Sequence, residues 1–241
     1  MSKIVAIRLN KYLAQMGVAS RRKADVLITS GRVCVDGQLI TKLGYQLHCK
    51  PKEITVDEVP IDLANIKHSY YVMNKPRGVV TTLKDPEGRT TVADLTKELE
   101  ERIFPIGRLD YDAEGVLLLT NDGDLALKLT HPRYGTKKTY LVKVKGVPTQ
   151  ATVTQVRKGT KLEDGFAQPI QLTTKKRTKT NSWFEMIVAE GRNRLIKRIW
   201  LRFGHPVLKL VRTNFAGIQL GELHPGEIRP LRKDELRKLL K

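Results

Sequence analysis

Cysteine is scarce in this chain of 241 residues, which contains two, Cys34 and Cys49, and no CxxC arrangement. Two thiols are too few for a disulfide framework, and we expect both to be reduced. No apolar run approaches the roughly 18 to 20 residues that a membrane-spanning helix needs, so we expect no membrane association. The first residues, MSKIVAIRLNKYL, lack the apolar core and cleavage site of a signal peptide, which predicts a cytoplasmic protein.

Cofactor and metal motifs are missing as well. The sequence has no GxGxxG loop and no Walker loop, so it offers no recognisable cradle for a nucleotide cofactor. Its five histidines follow no zinc-binding pattern: His48, His68, His131, His205 and His224. We therefore expect neither a cofactor nor a metal.

Acidic residues are outnumbered, with 25 Asp and Glu against 44 Lys and Arg, for a net charge of +19. Each Lys or Arg that neutralises a phosphate releases condensed counterions, so this imbalance favours a polyanionic partner. Without a membrane-spanning segment, nucleic acid is the favoured partner. The hydrophobic content of 40% is enough to build a core, and the length fits one large domain or two smaller ones.

Two short helices and a hairpin are predicted near the N-terminus. Apolar residues follow helical spacing from Arg8 until Gly17 interrupts the pattern. Ser20 is a typical cap for a second helix, RRKADVLITS, which Gly31 would close. The next segment, RVCVDGQLI, predicts two strands joined by an Asp-Gly turn.

The second helix places Arg21, Arg22 and Lys23 in its first turn, where cations oppose the helix dipole. They are either a solvated face or contacts to phosphates. The segment from residue 6 to about 52, with its paired helices and VxVDG hairpin, resembles the S4-type RNA-binding domain. That resemblance implies binding of structured RNA through these cations, in a first domain at residues 1–62.

A linker is expected near residues 60 to 68, and the sequence changes character after it. From Tyr70 onward short strand patterns dominate: YYVMNK, GVVTT, GVLLLT, KTYLVKVKG, QPIQLTT and SWFEMIVAE. Helices are predicted near residues 92 to 101, 123 to 130, 149 to 157 and 193 to 203. This pattern indicates an α+β second domain, residues 68–241, built on a mixed, largely antiparallel sheet.

The stretch GRLDYDAEGVLLLT, residues 107 to 120, places Asp110, Asp112 and Glu114 at alternating positions in a strongly basic chain. A solvated loop before a buried strand is one interpretation. A calcium loop is a second, but its twelfth position is Asn121 instead of a bidentate Glu. A magnesium-dependent nuclease is disfavoured because Arg108 would compete with the cation. In the remaining interpretation one carboxylate is a nucleophile that neighbouring cations keep ionised.

The same stretch resembles the signature of the RsuA-like family of ribosomal RNA pseudouridine synthases. Further segments match that family in order: NKPRGVVTT, KTYLVKVKG, EGRNRLIKRIW and GEIRPL. With the S4-type segment, the resemblance covers nearly the whole chain. It implies that Asp110 is the catalytic carboxylate, acting as nucleophile or as the base that starts glycosidic cleavage. It gives Asp112 and Glu114 no firm role.

Lys197 is the predicted cationic partner of Asp110, from the motif match and from helix geometry. On a helical wheel it lies at the border of an apolar face, where a lysine can bury its stem and direct its charge into a cleft. An ordinary surface lysine is the alternative. A basic stripe and a preceding arginine are predicted to contact RNA: Arg192, Arg194, Arg198 and Arg202.

Tyr140 and Arg108 complete the predicted site. The resemblance implies that Tyr140 stacks on the target uracil, with its hydroxyl available for proton transfer. Strand alternation places Tyr140 on an apolar face, which a plain core tyrosine would explain equally well. The family's matching arginine helps to fill the space left by the flipped nucleotide, a role that Arg108 would carry here.

The sequence thus predicts a two-domain enzyme, expected as a monomer, that isomerises a specific uridine in ribosomal RNA after base flipping. Ribosomal RNA or a pre-ribosomal subunit is the expected partner, with a preference for the large-subunit 23S RNA. The rival hypothesis is a non-catalytic RNA-binding or ribosome-assembly protein. An RNA methyltransferase is disfavoured by the missing glycine-rich cofactor loop.

Overall fold

The computed structural model describes residues 6–63, 68–99 and 101–240. The chain divides into two compact units, Met1–His68 and Ser69–Lys241. This division falls at the end of the predicted linker, residues 60 to 68, of which 64–67 lie outside the described residues. The domain limits 1–62 and 68–241 stay a prediction.

The first unit combines two helices with short strands. Its described elements are β1 (Ile7–Arg8), α1 (Leu9–Gln15), α2 (Arg21–Thr29), β2 (Val33–Val35), β3 (Gln38–Leu39), β4 (Gln46–Leu47), β5 (Ile54–Val56) and β6 (Val59–Pro60). Strands β3, β2, β5 and β6 form one antiparallel sheet in that order, and β1 pairs with β4.

Local chemistry explains the bounds of these elements. The Ser20 hydroxyl accepts a hydrogen bond from the Lys23 amide at 3.2 Å, which caps α2 as predicted. Asp36 and Gly37 both have positive φ, 48° and 79°, as a two-residue hairpin turn of type I′ requires. Leu9, Leu13 and other apolar residues of both helices and the strands form the buried core of this unit.

The second unit is built on a large sheet. Its described elements are β7 (Tyr70–Lys75), α3 (Val92–Leu95), β8 (Phe104–Pro105), β9 (Glu114–Thr120), α4 (Gly123–Thr130), a 3-10 helix (Pro132–Tyr134), β10 (Lys138–Lys145), α5 (Gln150–Lys158), β11 (Thr160–Leu162), β12 (Gly165–Ala167), β13 (Gln171–Arg177), β14 (Asn181–Val188), α6 (Leu195–Arg202), β15 (Val207–Phe215), β16 (Ile218–Gln219), β17 (Ile228–Pro230) and α7 (Lys233–Leu240).

Nine of these strands form one sheet, with the main order β13-β14-β10-β15-β9-β7-β17, β16 beside β15 and β8 beside β9. The pairing of β15 with β9 is parallel and all other pairs are antiparallel. At the parallel junction a side chain on Gly115 would lie 2.2 Å from the Arg212 carbonyl oxygen, so only glycine permits this approach. The predicted α+β class and the mixed, largely antiparallel sheet are confirmed.

One face of β10 is buried in the same core as helix α6. Lys138, Tyr140, Val142 and Val144 are buried on one face, as the strand period predicts. In the same core, the ring of Trp200 on α6 packs against Phe184 of β14, with 4.5 Å between centroids. The buried face of α6 is therefore fixed beside the strand that carries Tyr140.

Two predicted elements differ from the structure. The helix expected near residues 92 to 101 ends at Leu95, where the Thr96 hydroxyl donates to the Ala93 carbonyl and competes with the helical pattern. The strand predicted for GVVTT was wrong: Val80 forms one isolated bridge with Thr91. Hydrogen bonds of the Thr81 side chain and of turns replace the ladder there. In the described ranges, no helix has the length and apolar composition to cross a membrane.

Candidate active site

Asp110 lies on the loop between β8 and β9, and neighbouring segments fix the backbone of this loop. Gly107 opens it with φ of +72°. The Thr81 hydroxyl donates to the Leu109 carbonyl at 2.7 Å and accepts a hydrogen bond from the Leu109 amide at 3.3 Å. The Ala113 amide donates to the Asp110 carbonyl at 3.0 Å. The segment that carries the predicted catalytic carboxylate is therefore held by its own turn and by Thr81.

This loop borders a cavity of about 380 Å³, which also receives side chains from β10, β15 and the segment before α6. The volume lies in the range of small-molecule pockets, roughly 300 to 1,000 Å³. Predicted residues among those lining it are Arg108, Asp110, Tyr140, Arg192 and Arg194.

Lys197 approaches Asp110 from α6. Its Nζ lies 3.1 Å from Asp110 Oδ2 and donates a hydrogen bond to Asp112 Oδ1. The Lys197 side chain is 10% exposed, whereas that of Asp110 is 29% exposed. The Lys197 ammonium group is therefore within ion-pair distance of both carboxylates. The predicted pairing of Asp110 with Lys197 is present in the structure.

The two remaining acids of the loop differ in environment. Burial raises the pKa of Asp112, but the hydrogen bond and the charge of Lys197 outweigh it, so the pKa is lowered overall. Glu114, at the start of β9, forms an ion pair with Lys209 of β15. Asp112 therefore shares the cation of Asp110, while Glu114 is paired at the parallel junction of the sheet.

Tyr140 lines the cavity from β10 and is 9% exposed. Lys138, two residues earlier on the same face, donates from Nζ to the carbonyl oxygens of Thr136 and Ala189. Burial lowers the pKa of Lys138, and the nearby Arg212 charge lowers it further. Arg108 lines the cavity with Asp110 but is exposed. One wall of the cavity is thus aromatic and cationic, and its rim is basic.

Two buried cations that contact the Asp110 loop were not predicted from the sequence. Lys75 is fully buried at the end of β7, and its Nζ donates to the carbonyls of Pro76 and Ala113 at 2.8 and 2.9 Å. Burial lowers the pKa of Lys75 to about 8, although Asp112 and Asp110 oppose the shift.

Arg212 is the second of these cations and is 2% exposed. Its Nε donates to the Val116 carbonyl at 2.6 Å, and Nη1 approaches the Arg108 carbonyl at 3.4 Å. Lys75 and Arg212 therefore contact backbone oxygens on both sides of Asp110. A cation at a buried position of an apolar strand was the available signal, since β7 reads YYVMNK and β15 reads VLKLVRTNF.

The arginines near α6 are not equivalent. Arg192 bonds Glu190, Asp164 and the carbonyls of Gly165 and Phe166, which fastens the β11–β12 hairpin to the cavity loop. Arg198 donates to Asp164 Oδ2 at 2.7 Å.

Arg194 does not belong to the helical stripe, because it is the left-handed residue before α6 with φ of 48°. It is exposed at the cavity, and its charge contributes to the lowered pKa of Asp112. Arg202 is exposed in the last turn of α6. Of the four arginines predicted to contact RNA, Arg194 and Arg202 are the exposed ones.

In the first unit, Arg21, Arg22 and Lys23 are all exposed in the first turn of α2, which contains no acidic residue. None of the three has an ion-pair partner among the residues that the structure describes. As for metals, no group of three His, Cys, Asp or Glu suited to an ion occurs within the described ranges.

Comparisons with known proteins agree over the length of the chain. Residues 69–200 match the RNA pseudouridylate synthase family, and residues 7–50 match the S4 domain. An uncharacterized RNA pseudouridine synthase of Aquifex aeolicus is 42% identical over 239 residues, which is 99% of this chain and 95% of the relative. Ribosomal large subunit pseudouridine synthase B of Bacillus subtilis is 40% identical, covering 96% of this chain and 95% of the relative. A crystal structure of a pseudouridylate synthase matches 97% of this chain and 99% of its own, with 26% identity and a TM-score of 0.67.

Proposed function

The chain belongs to the RNA pseudouridylate synthase family, and from this premise we propose that Asp110 is the carboxylate that starts the isomerisation of uridine. The protein converts uridine to pseudouridine in ribosomal RNA. The observation that supports Asp110 is its position at the cavity with Lys197 Nζ 3.1 Å from Oδ2.

The reaction is an isomerisation, so uridine and pseudouridine have the same composition. The bond from the ribose C1′ to N1 of uracil breaks, the base rotates, and C5 bonds to C1′. The proton on C5 is lost to solvent, and N1 takes up a proton in its place. Asp110 either attacks the nucleotide or removes the proton that permits cleavage, and both roles require the ionised carboxylate. Lys197 supplies the opposing charge for that state in a site which a flipped base would make drier.

Tyr140 and Arg108 are proposed to receive the flipped uridine. Tyr140 is a buried aromatic on the cavity wall, where its ring can stack on uracil and its hydroxyl can exchange a proton. Arg108 is exposed on the same loop as Asp110, so its guanidinium can occupy the space that the base leaves. Exposed Arg194 and Arg202, with Arg21, Arg22 and Lys23 of the first unit, are proposed to contact phosphates.

We propose large-subunit RNA as the substrate. The full-length likeness to a relative named for the large ribosomal subunit supports this choice. Free RNA and an assembly intermediate would present the same uridine, so both belong in the test. The protein is proposed to act as a monomer in the cytoplasm without cofactor or metal.

The test is release of tritium from ribosomal RNA transcripts labelled at C5 of uracil, in chelator, with naked RNA and with immature subunits. Wild type should release tritium and Asp110→Asn should not, while filter binding gives both the same RNA affinity. Asp234→Asn, an exposed aspartate on α7, is the matched control and should release tritium like wild type. Turnover by Asp110→Asn would remove Asp110 from the mechanism. No release by any protein on either substrate would favour a non-catalytic RNA-binding protein.

A further inference from the structure

Two exposed tyrosines lie at the cavity or on a segment that leads away from it. The chain has seven Tyr, five Phe and two Trp. Three aromatic residues stand out as exposed among those described: Tyr111 at 51%, Tyr134 at 45% and Phe166 at 61%. Tyr111 itself lines the cavity. Tyr134 lies in the exposed connection that starts and ends on the cavity-lining residues Thr130 and Lys138.

Tyr111 directly follows Asp110 on a fixed backbone. Its carbonyl accepts a hydrogen bond from the Gly78 amide at 2.8 Å. Its hydroxyl lies 3.8 Å from the point that a side chain on Gly78 would occupy, so the ring reaches towards that turn. Half of the residue is nevertheless exposed. A large ring is thus presented to solvent on the same short segment as the proposed catalytic carboxylate.

Tyr134 ends a 3-10 helix that follows α4, and its ring is held by two neighbours. The Arg133 guanidinium lies 4.5 Å from the ring centroid and donates a hydrogen bond to the Tyr134 hydroxyl. His131 meets the ring edge-on, with 6.2 Å between centroids, and its Nδ1 accepts from the Arg133 amide. Through Thr130 this segment adjoins Gly107, since Thr130 Cγ2 lies 3.5 Å from the Cβ position of that glycine.

Holding these exposed rings in place costs conformational entropy, and their partial burial offsets little of that cost. Stacking of a nucleobase would offset more of it, because every base has a face that can stack on tyrosine. A guanidinium already stacked on the ring adds a positive charge for the phosphate next to that base. Tyr111, on the cavity wall, and Tyr134, on the connection after α4, therefore have the chemistry of stacking positions for bases next to the one in the cavity.

We propose that Tyr111 and Tyr134 stack on bases adjacent to the uridine that enters the cavity. The preferred substrate is then a uridine in a loop whose neighbours are unstacked, and not one inside a continuous helix. This inference rests on the proposed function, because it assumes that the target uridine occupies the cavity beside Asp110.

The first experiment measures KM and kcat for tritium release from a 23S transcript. Tyr111→Ala and Tyr134→Ala should each raise KM by about tenfold with little change in kcat, as expected for a lost base–aromatic stack. Tyr111→Phe and Tyr134→Phe keep the stacking ring and should behave like wild type. Phe166→Ala is the control, since Phe166 is exposed at 61% but lies on β12, outside both the Asp110 loop and the connection after α4.

Unchanged KM in both alanine variants would overturn the proposal. So would an equal loss in the phenylalanine variants, which would assign the effect to the hydroxyl groups, or an equal loss in Phe166→Ala. Wild-type release of tritium in the same assay keeps this outcome separate from failure of the proposed function. A second arm uses a synthetic stem-loop with the mapped uridine and abasic residues beside it. The penalty of the alanine variants should disappear on that RNA, and a penalty that persists would also overturn the proposal.

Discussion

Helices α2 and α6 carry two groups of basic residues that look alike in the sequence but differ in the structure. Around α2 the cations Arg21, Arg22 and Lys23 are exposed and have no ion-pair partner among the described residues. Around α6, Arg198 is paired with Asp164, and Lys197 is buried against Asp110 and Asp112. Positive charge in a sequence is therefore not the same as positive charge available to RNA.

Replacing the buried Lys197 should have the largest effect, and this effect should be on turnover. Lys197→Met keeps much of the buried stem but leaves Asp110 and Asp112 without their cation, so we expect turnover to fall by at least about 100-fold. RNA affinity should stay near wild type, because this lysine does not face solvent. Single-turnover tritium release and filter binding measure the two quantities. A loss of affinity as large as the loss of turnover would mean that Lys197 contacts RNA.

The exposed cations of α2 should affect RNA affinity and leave turnover unchanged. Replacing Arg21, Arg22 and Lys23 by alanine should weaken RNA binding and reduce the slope of log K against log salt by about two to three. The turnover of bound RNA should be unchanged. Filter binding from low to high salt tests this, with Lys161, an exposed lysine of β11, replaced as the control. An unchanged salt slope would show that α2 is a solvated face.

A buried cation also predicts a dependence of stability on pH. The pKa of Lys75 is lowered from 10.5 to about 8, so between those values the unfolded chain binds more protons than the folded one. The free energy of unfolding should therefore gain a stabilising contribution as pH rises from about 8 towards 10.5. In Lys75→Met this contribution should vanish, which urea unfolding at several pH values can measure. Identical pH curves for both proteins would contradict the lowered pKa.

The smallest effect is expected where arginines are already paired. Asp164→Asn removes the carboxylate that engages Arg192 and Arg198, and exposed pairs of this kind contribute about 1 kcal/mol or less. We expect a slight loss of thermal stability and a salt slope steeper by up to about one, since a freed arginine can reach a phosphate. A weaker RNA affinity would instead indicate that the hairpin positions the cavity loop for binding.

Much of this architecture could be predicted because local patterns were strong. Ser20, the Asp36-Gly37 turn and the alternation of β10 gave a cap, a hairpin and a buried face that the structure confirms. The strand prediction for GVVTT was wrong because these residues have strand propensity, whereas in the structure the Thr81 hydroxyl forms hydrogen bonds with the backbone of Leu109. That contact joins residues 28 positions apart, which no local pattern can reveal.

The sequence by itself determined the family, and it predicted the two-unit organisation and Lys197 as the candidate partner of Asp110, since motif order and helical periodicity are properties of the chain. Only the tertiary structure decided which charges are exposed and which are paired or buried within the protein. The reason is physical, because an ion pair or a buried hydrogen bond depends on the separation of two atoms in space. Asp164 removes Arg198 from the basic surface, and Lys75 and Arg212 lie beneath the Asp110 loop, through contacts that folding alone creates.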